Sequence, residues 1–336
     1  MTQPVRIGVL GTGKIAARAL IEPALSVPEV QVTSVASRVL DRAERYAQGH
    51  GLRTWSTYDG LLDDPEIDVV YITLPPSLHA EWSIKAMEAG KDVLCEKPIA
   101  ANAAEARAID AAAIKTGRIF IEAFHYHHHP LARRVRDLVN ARAVGEIERV
   151  TASFLLPRRF FGPGDIRFDS SLAGGVLMDA GCYCLHAIRH LLGEPRGVDA
   201  ATAVVSEDDP GIDLSMTVDL GFDGGVTASA EASFLREEAP ETVLEVQGTR
   251  GRIAVSSLYA PQWGGRLTGN WDGHSFDEAV DPTPSYVFQL QELVRCVRGG
   301  SPVITSAADG VATMKLIDAC YAAAGMKPRQ GSTGAC

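Results

Sequence analysis

Apolar residues follow two different rhythms along the chain. From residue 5 to about 124, short β-rich runs at 5–10, 31–36, 69–73, 92–95 and 119–123 alternate with helical stretches. The helical stretches carry end signals: 41–48, 79–89 stopping at Gly90, and 102–115 stopping before Gly117. Such alternation predicts a doubly wound parallel sheet with helices on both faces. After Phe124 a helical stretch at 130–140 gives way to successive strands at 147–156, 200–206, 213–222, 226–234, 242–248 and 252–256. Short turns such as Asp223-Gly224-Gly225 join some of them, which predicts an α+β region with a large, mainly antiparallel open sheet. Helical segments at 286–298 and 307–324 follow, and the tail 330–336 reads as frayed. The expected division is an α/β domain over 1–124 and an α+β domain over 125–336.

A chain of 336 residues suits two domains, each with its own core. The formal net charge of −10 comes without a long acidic run, so neither nucleic acid nor an anionic membrane surface is an expected partner. Any phosphate-bearing ligand must therefore meet local positive charge. The opening MTQPVRIGVLGTG enters a strand directly, and no run reaches ~18 apolar residues. A cytoplasmic location is expected. Cys95, Cys182, Cys184, Cys296, Cys320 and Cys336 form no CxxC pair and read as reduced thiols.

The strand 5–10 runs into Gly11-Thr12-Gly13-Lys14-Ile15-Ala16 and then a helix, giving G-x-G-x-x-A in the strand-turn-helix setting a dinucleotide requires. Gly11 permits the tight turn, Gly13 lets backbone approach a pyrophosphate, and Ala16 allows close helix packing. The helix N-terminus offers N–H groups to the phosphates. The parallel domain is thus expected to be a Rossmann domain. The second strand ends in Ser37-Arg38, where an NAD enzyme usually places a carboxylate for the ribose 2′-hydroxyl. Guanidinium and hydroxyl suit a 2′-phosphate, so NADP (NADPH) is expected over NAD.

Residues 92–98 read DVLCEKP, which puts Glu96 and Lys97 immediately after a parallel strand, where α/β sheets hold ligands. The stretch 174–193 reads as one helix with two faces. Leu177, Gly181, Cys184, Ile188 and Leu191 make an apolar stripe, while Asp179, Tyr183, His186 and His190 share another face. Titratable groups so aligned predict a cleft lining rather than a solvated face.

The motifs GTGKIA, PPSLHAEWSIKAMEAGKDVLCEKP, AGGVLMDAGCYCLHAIRHLLGEP and YVFQLQELVRCVRGG together resemble the glucose-fructose oxidoreductase, inositol dehydrogenase and MocA (Gfo/Idh/MocA) family over almost the whole chain. The sugar and dihydrodiol dehydrogenase branch is the most similar. The resemblance implies that Lys97 contacts the nicotinamide ribose and the reacting oxygen, with Asp179 and the residue four later completing the site. That later residue is Tyr183, where the inositol dehydrogenase type has His, and His186 stands where that type tends to have Asp. Cyclitol specificity is therefore not expected. A Tyr beside a Lys can act as acid/base, because an ammonium favours the phenolate and lowers an ordinary pKa of ~10. His79, Leu74 and Pro75 would flank the cofactor path, and Arg167, just before the glycine pair, would reach over the cleft, cap a helix or form a salt bridge.

The implied reaction is hydride transfer between nicotinamide and a hydroxyl or carbonyl carbon of a sugar, ketosugar or cyclic diol. Tyr126 and His127, after the strand 119–123, and His186 on the helix 174–193 are candidate substrate contacts. The run His125-Tyr126-His127-His128-His129 is not expected to hold a metal, because consecutive imidazoles cannot converge on one ion. Other functions open to the family are NADP sensing without chemistry and glycoside hydrolysis with a retained NAD. A homodimer or homotetramer through the open sheet face is the expected assembly.

Overall fold

The structure is a computed structural model that describes residues 3–331, so the tail from 332 onward lies outside the described residues. Two compact units emerge: one formed by residues up to His125 together with Tyr286–Val311, the other by Tyr126–Ser285 together with Ala312–Gln330.

In the first unit, strands β1 (Val5–Leu10), β2 (Val30–Ala36), β3 (Thr54–Ser56), β4 (Val69–Ile72), β5 (Asp92–Cys95) and β6 (Phe120–Glu122) form one parallel sheet in the order β3-β2-β1-β4-β5-β6. All four residues of β4 are buried, as expected of a strand covered on both faces. Helices Leu40–His50, Pro76–Glu88 and Ala103–Thr116 fall where the sequence predicts them. Asn102 caps the last by accepting from the amides of Ala104 and Glu105 at 3.0 and 3.1 Å.

The helix Ser285–Val297 departs from the expected division of the chain. Its Tyr286, Leu290 and Leu293 fill a cluster with Val9, Leu20, Tyr71 and Leu94, which returns Tyr286–Val311 to the first unit. Each buried leucine contributes on the order of 2 kcal/mol. Amphipathic spacing announces an apolar face without naming the core that receives it.

In the second unit, helix Pro130–Asn140 begins with Pro130 at its first turn, and the His129 ring accepts from the Leu131 amide at 3.0 Å. Strands β7 (Ile147–Pro157), β8 (Gly197–Val205), β9 (Asp213–Gly221), β10 (Thr227–Arg236), β11 (Glu241–Gly248), β12 (Gly251–Ser256), β13 (Arg266–Trp271) and β14 (His274–Ala279) form an eight-stranded sheet. Its order is β14-β13-β12-β11-β7-β10-β9-β8, antiparallel at every neighbouring pair except β10 with β7. Along β10, Ala228, Ala230 and Ala232 are buried while Thr227 and Glu231 are exposed, the alternation of a sheet with one covered face.

The segment Leu177–Leu192 is helical, and a π-turn at Leu177–Gly181 precedes the α-helix Cys182–Leu192. A Cβ added to Gly181 would sit 3.4 Å from the Cβ of Ala232, so small residues let this helix lie close on β10. The stretch Ser170–Leu192 is long and apolar enough to cross a membrane by length and composition, yet 83% of its 18-residue apolar window is buried in the fold. That is the burial of a core helix.

Candidate active site

Each unit carries one set of candidate residues. At the carboxyl end of β1, Gly11 adopts φ 107° and its amide donates to Ala36 O at 3.0 Å. A Cβ there would meet Thr73 Oγ1 at 2.7 Å, and that hydroxyl already donates to Leu10 O at 3.0 Å. Gly13 caps the helical run that starts at Lys14; a Cβ on it would find nothing nearer than Thr73 O at 3.7 Å. The fold therefore requires glycine at position 11 but not at position 13, where the missing side chain leaves room for a ligand. Ala16 is fully buried, Thr12 and Ile15 are half-buried, and Lys14 is exposed. This turn lies between β1 and β4, where the strand order reverses and doubly wound sheets bind dinucleotides.

Beyond β2, Ser37 is buried and Arg38 is exposed. On helix Leu40–His50, Arg42 and Arg45 join Thr12 and Tyr46 around a cavity of about 480 Å³. The Tyr46 hydroxyl donates to Gly13 O at 3.4 Å. Sequence reasoning overlooked this basic rim, although the i, i+3 spacing of Arg42 and Arg45 could have announced it.

Leu74 and His79 are buried after β4, and Pro75 is half-buried. The His79 ring bridges two loops, with Nε2 2.7 Å from Leu74 O and Nδ1 2.8 Å from Pro98 O. Burial pushes its pKa down to about 4 against the pull of both carbonyls, and the charge on Lys97 adds to the lowering. His79 thus ties together the ends of β4 and β5. Lys97 is half-buried and joined to Pro98 by a cis bond. Glu96 is buried and accepts from the Tyr71 hydroxyl; burial raises its pKa while Tyr71 and Lys97 oppose the rise. Sequence reasoning also missed Tyr286, which lies close enough to feel the charges of Glu96, Arg18 and Lys97. Burial pushes its hydroxyl pKa upward. Its only sequence signal was its place at the head of the motif YVFQLQ.

In the second unit the entry to the central helix is held by a buried network. Gly175 adopts φ 122°, and any Cβ there would collide with Asp213 and Arg329. Asp213 accepts from the Leu177 amide at 2.7 Å, from the Tyr321 hydroxyl at 3.0 Å and from Arg329 Nη2. Arg329 Nε donates to Gly174 O at 2.7 Å. Burial pushes the Asp213 carboxyl upward, with Arg329 opposing.

Further along the same segment, Asp179 Oδ2 accepts from Arg167 Nε at 2.7 Å, and Arg167 Nη1 donates to Asp165 Oδ1 at 3.1 Å. The same Asp165 oxygen accepts the Arg167 amide at 3.1 Å and caps the turn Ile166–Phe168. Arg167 is therefore clamped between two carboxylates, and Asp179 raises its pKa above the usual range. Tyr183 is buried, with ring centroids of Tyr259, Phe154 and Tyr126 at 5.2, 5.6 and 5.8 Å. The Tyr126 hydroxyl lies 2.6 Å from His186 Nδ1. His186 and His127 are both buried, so the polar face of the helix is packed rather than solvated. Burial, reinforced by His186, Arg136 and His190, lowers the His127 pKa far below its ordinary value.

Comparison with known proteins matches residues 5–124 to an oxidoreductase family with an NAD-binding Rossmann fold, and residues 132–254 to the GFO/IDH/MocA C-terminal domain. A D-xylose 1-dehydrogenase (NADP(+)) from Haloferax volcanii is 39% identical over 94% of this chain and 96% of its own. A dTDP-3,4-didehydro-2,6-dideoxy-α-D-glucose 3-reductase from Saccharopolyspora spinosa is 35% identical over 99% of this chain and all of its own. Among solved structures, a 3-ketoreductase from Actinomadura kijaniata in complex with NADP and TDP-benzene is 28% identical and covers 96% of this chain and 98% of its own, with a TM-score of 0.87.

Proposed function

The chain belongs to the Gfo/Idh/MocA oxidoreductase family, and from that premise we propose that it transfers hydride between NADP and a hydroxyl or carbonyl carbon of a sugar or sugar-like polyol. The observation that carries the cofactor choice is Ser37-Arg38 at the end of β2, a cationic position with no carboxylate for a free ribose hydroxyl. The Gly11–Gly13 turn fits the pyrophosphate, since nothing in the protein occupies the space a side chain at Gly13 would take. The substrate class is supported by the xylose dehydrogenase and the dTDP-sugar reductase among its relatives.

In this reading the first unit binds NADP and the second supplies substrate contacts. Gly11, Thr12, Gly13, Lys14, Ile15, Ser37, Arg38, Leu74, Pro75 and Glu96 belong to the cofactor side. When bound, NADP supplies or accepts the hydride. Lys97 offers its ammonium to the oxygen on the reacting carbon, where negative charge develops during reduction. Tyr183 gives that oxygen its proton, or takes it back in oxidation. Asp179, held by Arg167, orients the substrate hydroxyls, and Tyr126 with His186 supports the Tyr183 ring. His79 acts by fixing the strand ends rather than by touching substrate. The same reading proposes a cytoplasmic enzyme that assembles as a homodimer or homotetramer through the open face of its eight-stranded sheet.

Lys97→Met and Tyr183→Phe test the chemistry. Loss of a positioned acid/base lowers turnover by roughly 10²–10⁴-fold. Both variants are expected to retain wild-type melting temperatures and to fall in kcat by that order. Turnover within a few fold of wild type for either would refute the assigned roles.

A further inference from the structure

Three imidazoles from two distant parts of the sequence converge in the second unit. His186 and His190 stand four residues apart on the helix Cys182–Leu192, with ring centroids 4.1 Å apart. His127, in the turn His125–His128, closes the group, its ring centroid 4.5 Å from that of His190 and 5.5 Å from that of His186. One ring nitrogen from each of the three lies within 4.8 Å of the other two. We propose that His127, His186 and His190 form a binding site for a first-row divalent transition metal, best suited to Zn²⁺.

The chemistry of the donor set points to that ion class. Imidazole suits zinc and its neighbours, whereas magnesium and calcium require oxygen ligands, and no carboxylate belongs to this group. An i, i+4 histidine pair on one helix face with a third ligand from elsewhere is the arrangement of three-ligand zinc sites, which keep a fourth position open. With Nδ1 of His186 committed to Tyr126 at 2.6 Å, Nε2 is the nitrogen it presents to an ion. Tyr126 then serves as the outer partner that fixes ring orientation, as ligating histidines ordinarily require. Tyr126, His127, His190 and Arg136 border a cavity of about 20 Å³. That volume holds one water-sized ligand beside His127 and His190, although His186 does not border it and the rest of the lining is mainly aliphatic.

Arg136 opposes the site. Its Nη1 lies 3.4 Å from His127 Nδ1 and 3.4 Å from the His127 carbonyl oxygen. Ligation through His127 Nε2 places a proton on Nδ1 and leaves Arg136 on the carbonyl alone. A 3.4 Å contact is near the limit of a hydrogen bond and is the weaker competitor. The guanidinium would also favour hydroxide or another anion at the open position over a second neutral ligand.

The test uses full-length protein stripped with chelator and titrated with ZnSO₄ by calorimetry, with CoCl₂ as the spectroscopic probe. One zinc per chain is expected, MgCl₂ should give no binding isotherm, and the cobalt form should show the visible bands of nitrogen-ligated four- or five-coordinate Co²⁺. His127→Gln and His190→Gln should each weaken zinc binding on the order of tenfold or more, since even loss of an outer partner costs that much; Tyr126→Phe should weaken it too. The exposed His274→Gln should bind as wild type. Absence of stoichiometric zinc binding, or zinc affinity unmoved by both ligand variants, would overturn the proposal. If a ligand variant fails to fold, wild-type cobalt spectra of hexa-aquo type would overturn it alone.

Discussion

The turn after β1 holds one glycine that the fold requires and one, Gly13, at which the fold would accommodate a side chain. At Gly11 the backbone sits at φ 107°, where an L-residue costs roughly 1–2 kcal/mol. A methyl group there would press on Thr73 Oγ1 at 2.7 Å and disturb its bond to Leu10 O, for about 1 kcal/mol more. Gly11→Ala is therefore expected to destabilise the first unit by about 2–3 kcal/mol and to lower its melting temperature on the order of 5 °C. Gly13 has φ −71°, and the atom nearest to a Cβ at that position is 3.7 Å away, so Gly13→Ala should melt as wild type. If the pyrophosphate lies against this backbone, the same methyl should weaken NADPH binding by about tenfold or more, the usual result of forcing a buried phosphate contact apart. Differential scanning fluorimetry reads the first effect and quenching of intrinsic fluorescence by NADPH reads the second. Wild-type stability for Gly11→Ala would refute the steric argument. Wild-type NADPH affinity for Gly13→Ala would remove the pyrophosphate from this turn.

Two other consequences follow from buried charge. Arg329→Ala leaves the buried Asp213 carboxylate without its cation and should cost about 3–5 kcal/mol in chemical denaturation, with partial recovery in Arg329→Ala/Asp213→Asn; a loss under about 1 kcal/mol would show the network to be dispensable. His79 has a folded pKa of about 4 against an ordinary 6.5, so its stabilising contribution is complete above pH 6.5 and is lost as pH falls from 6.5 to 4. That amounts to about 3 kcal/mol over the window. His79→Gln should flatten the pH dependence of unfolding by nearly one proton there, and identical slopes for variant and wild type would contradict the assignment.

The parts of this protein legible in the sequence are those written by local geometry. Gly11-Thr12-Gly13 after an apolar run announced the dinucleotide turn, and Pro130 with Asn140 bounded a helix to the residue. The short β3 escaped because three residues cannot show an alternation. β13 and β14 escaped because Gly269 and Asn270 interrupt one and the other is almost wholly polar. Longer-range relations were out of reach. Nothing local tells that Tyr286 and Leu290 fill the first core, that Arg167 closes on Asp179, or that His127 meets His186 and His190. Each of these depends on where the chain returns, which periodicity does not encode. The helix with the candidate Asp179 and Tyr183 is legible from its spacing, whereas the aromatic and imidazole rings that pack around Tyr183, His186 and His190 come from distant segments and are not.

The central claim is NADP-dependent oxidation or reduction of a sugar-like carbon, and its most direct measurement is nicotinamide absorbance during turnover of an aldose and ketosugar panel, run in parallel with NADP(H) and NAD(H) for wild type and Arg38→Ala. Turnover of at least one sugar is expected, with preference for NADP(H) in the wild type and loss of that preference in Arg38→Ala by roughly 10-fold or more, the value of a charge-assisted phosphate contact. Equal use of both cofactors by wild type and variant, or tight NADPH binding with no turnover of any sugar in either direction, would contradict it.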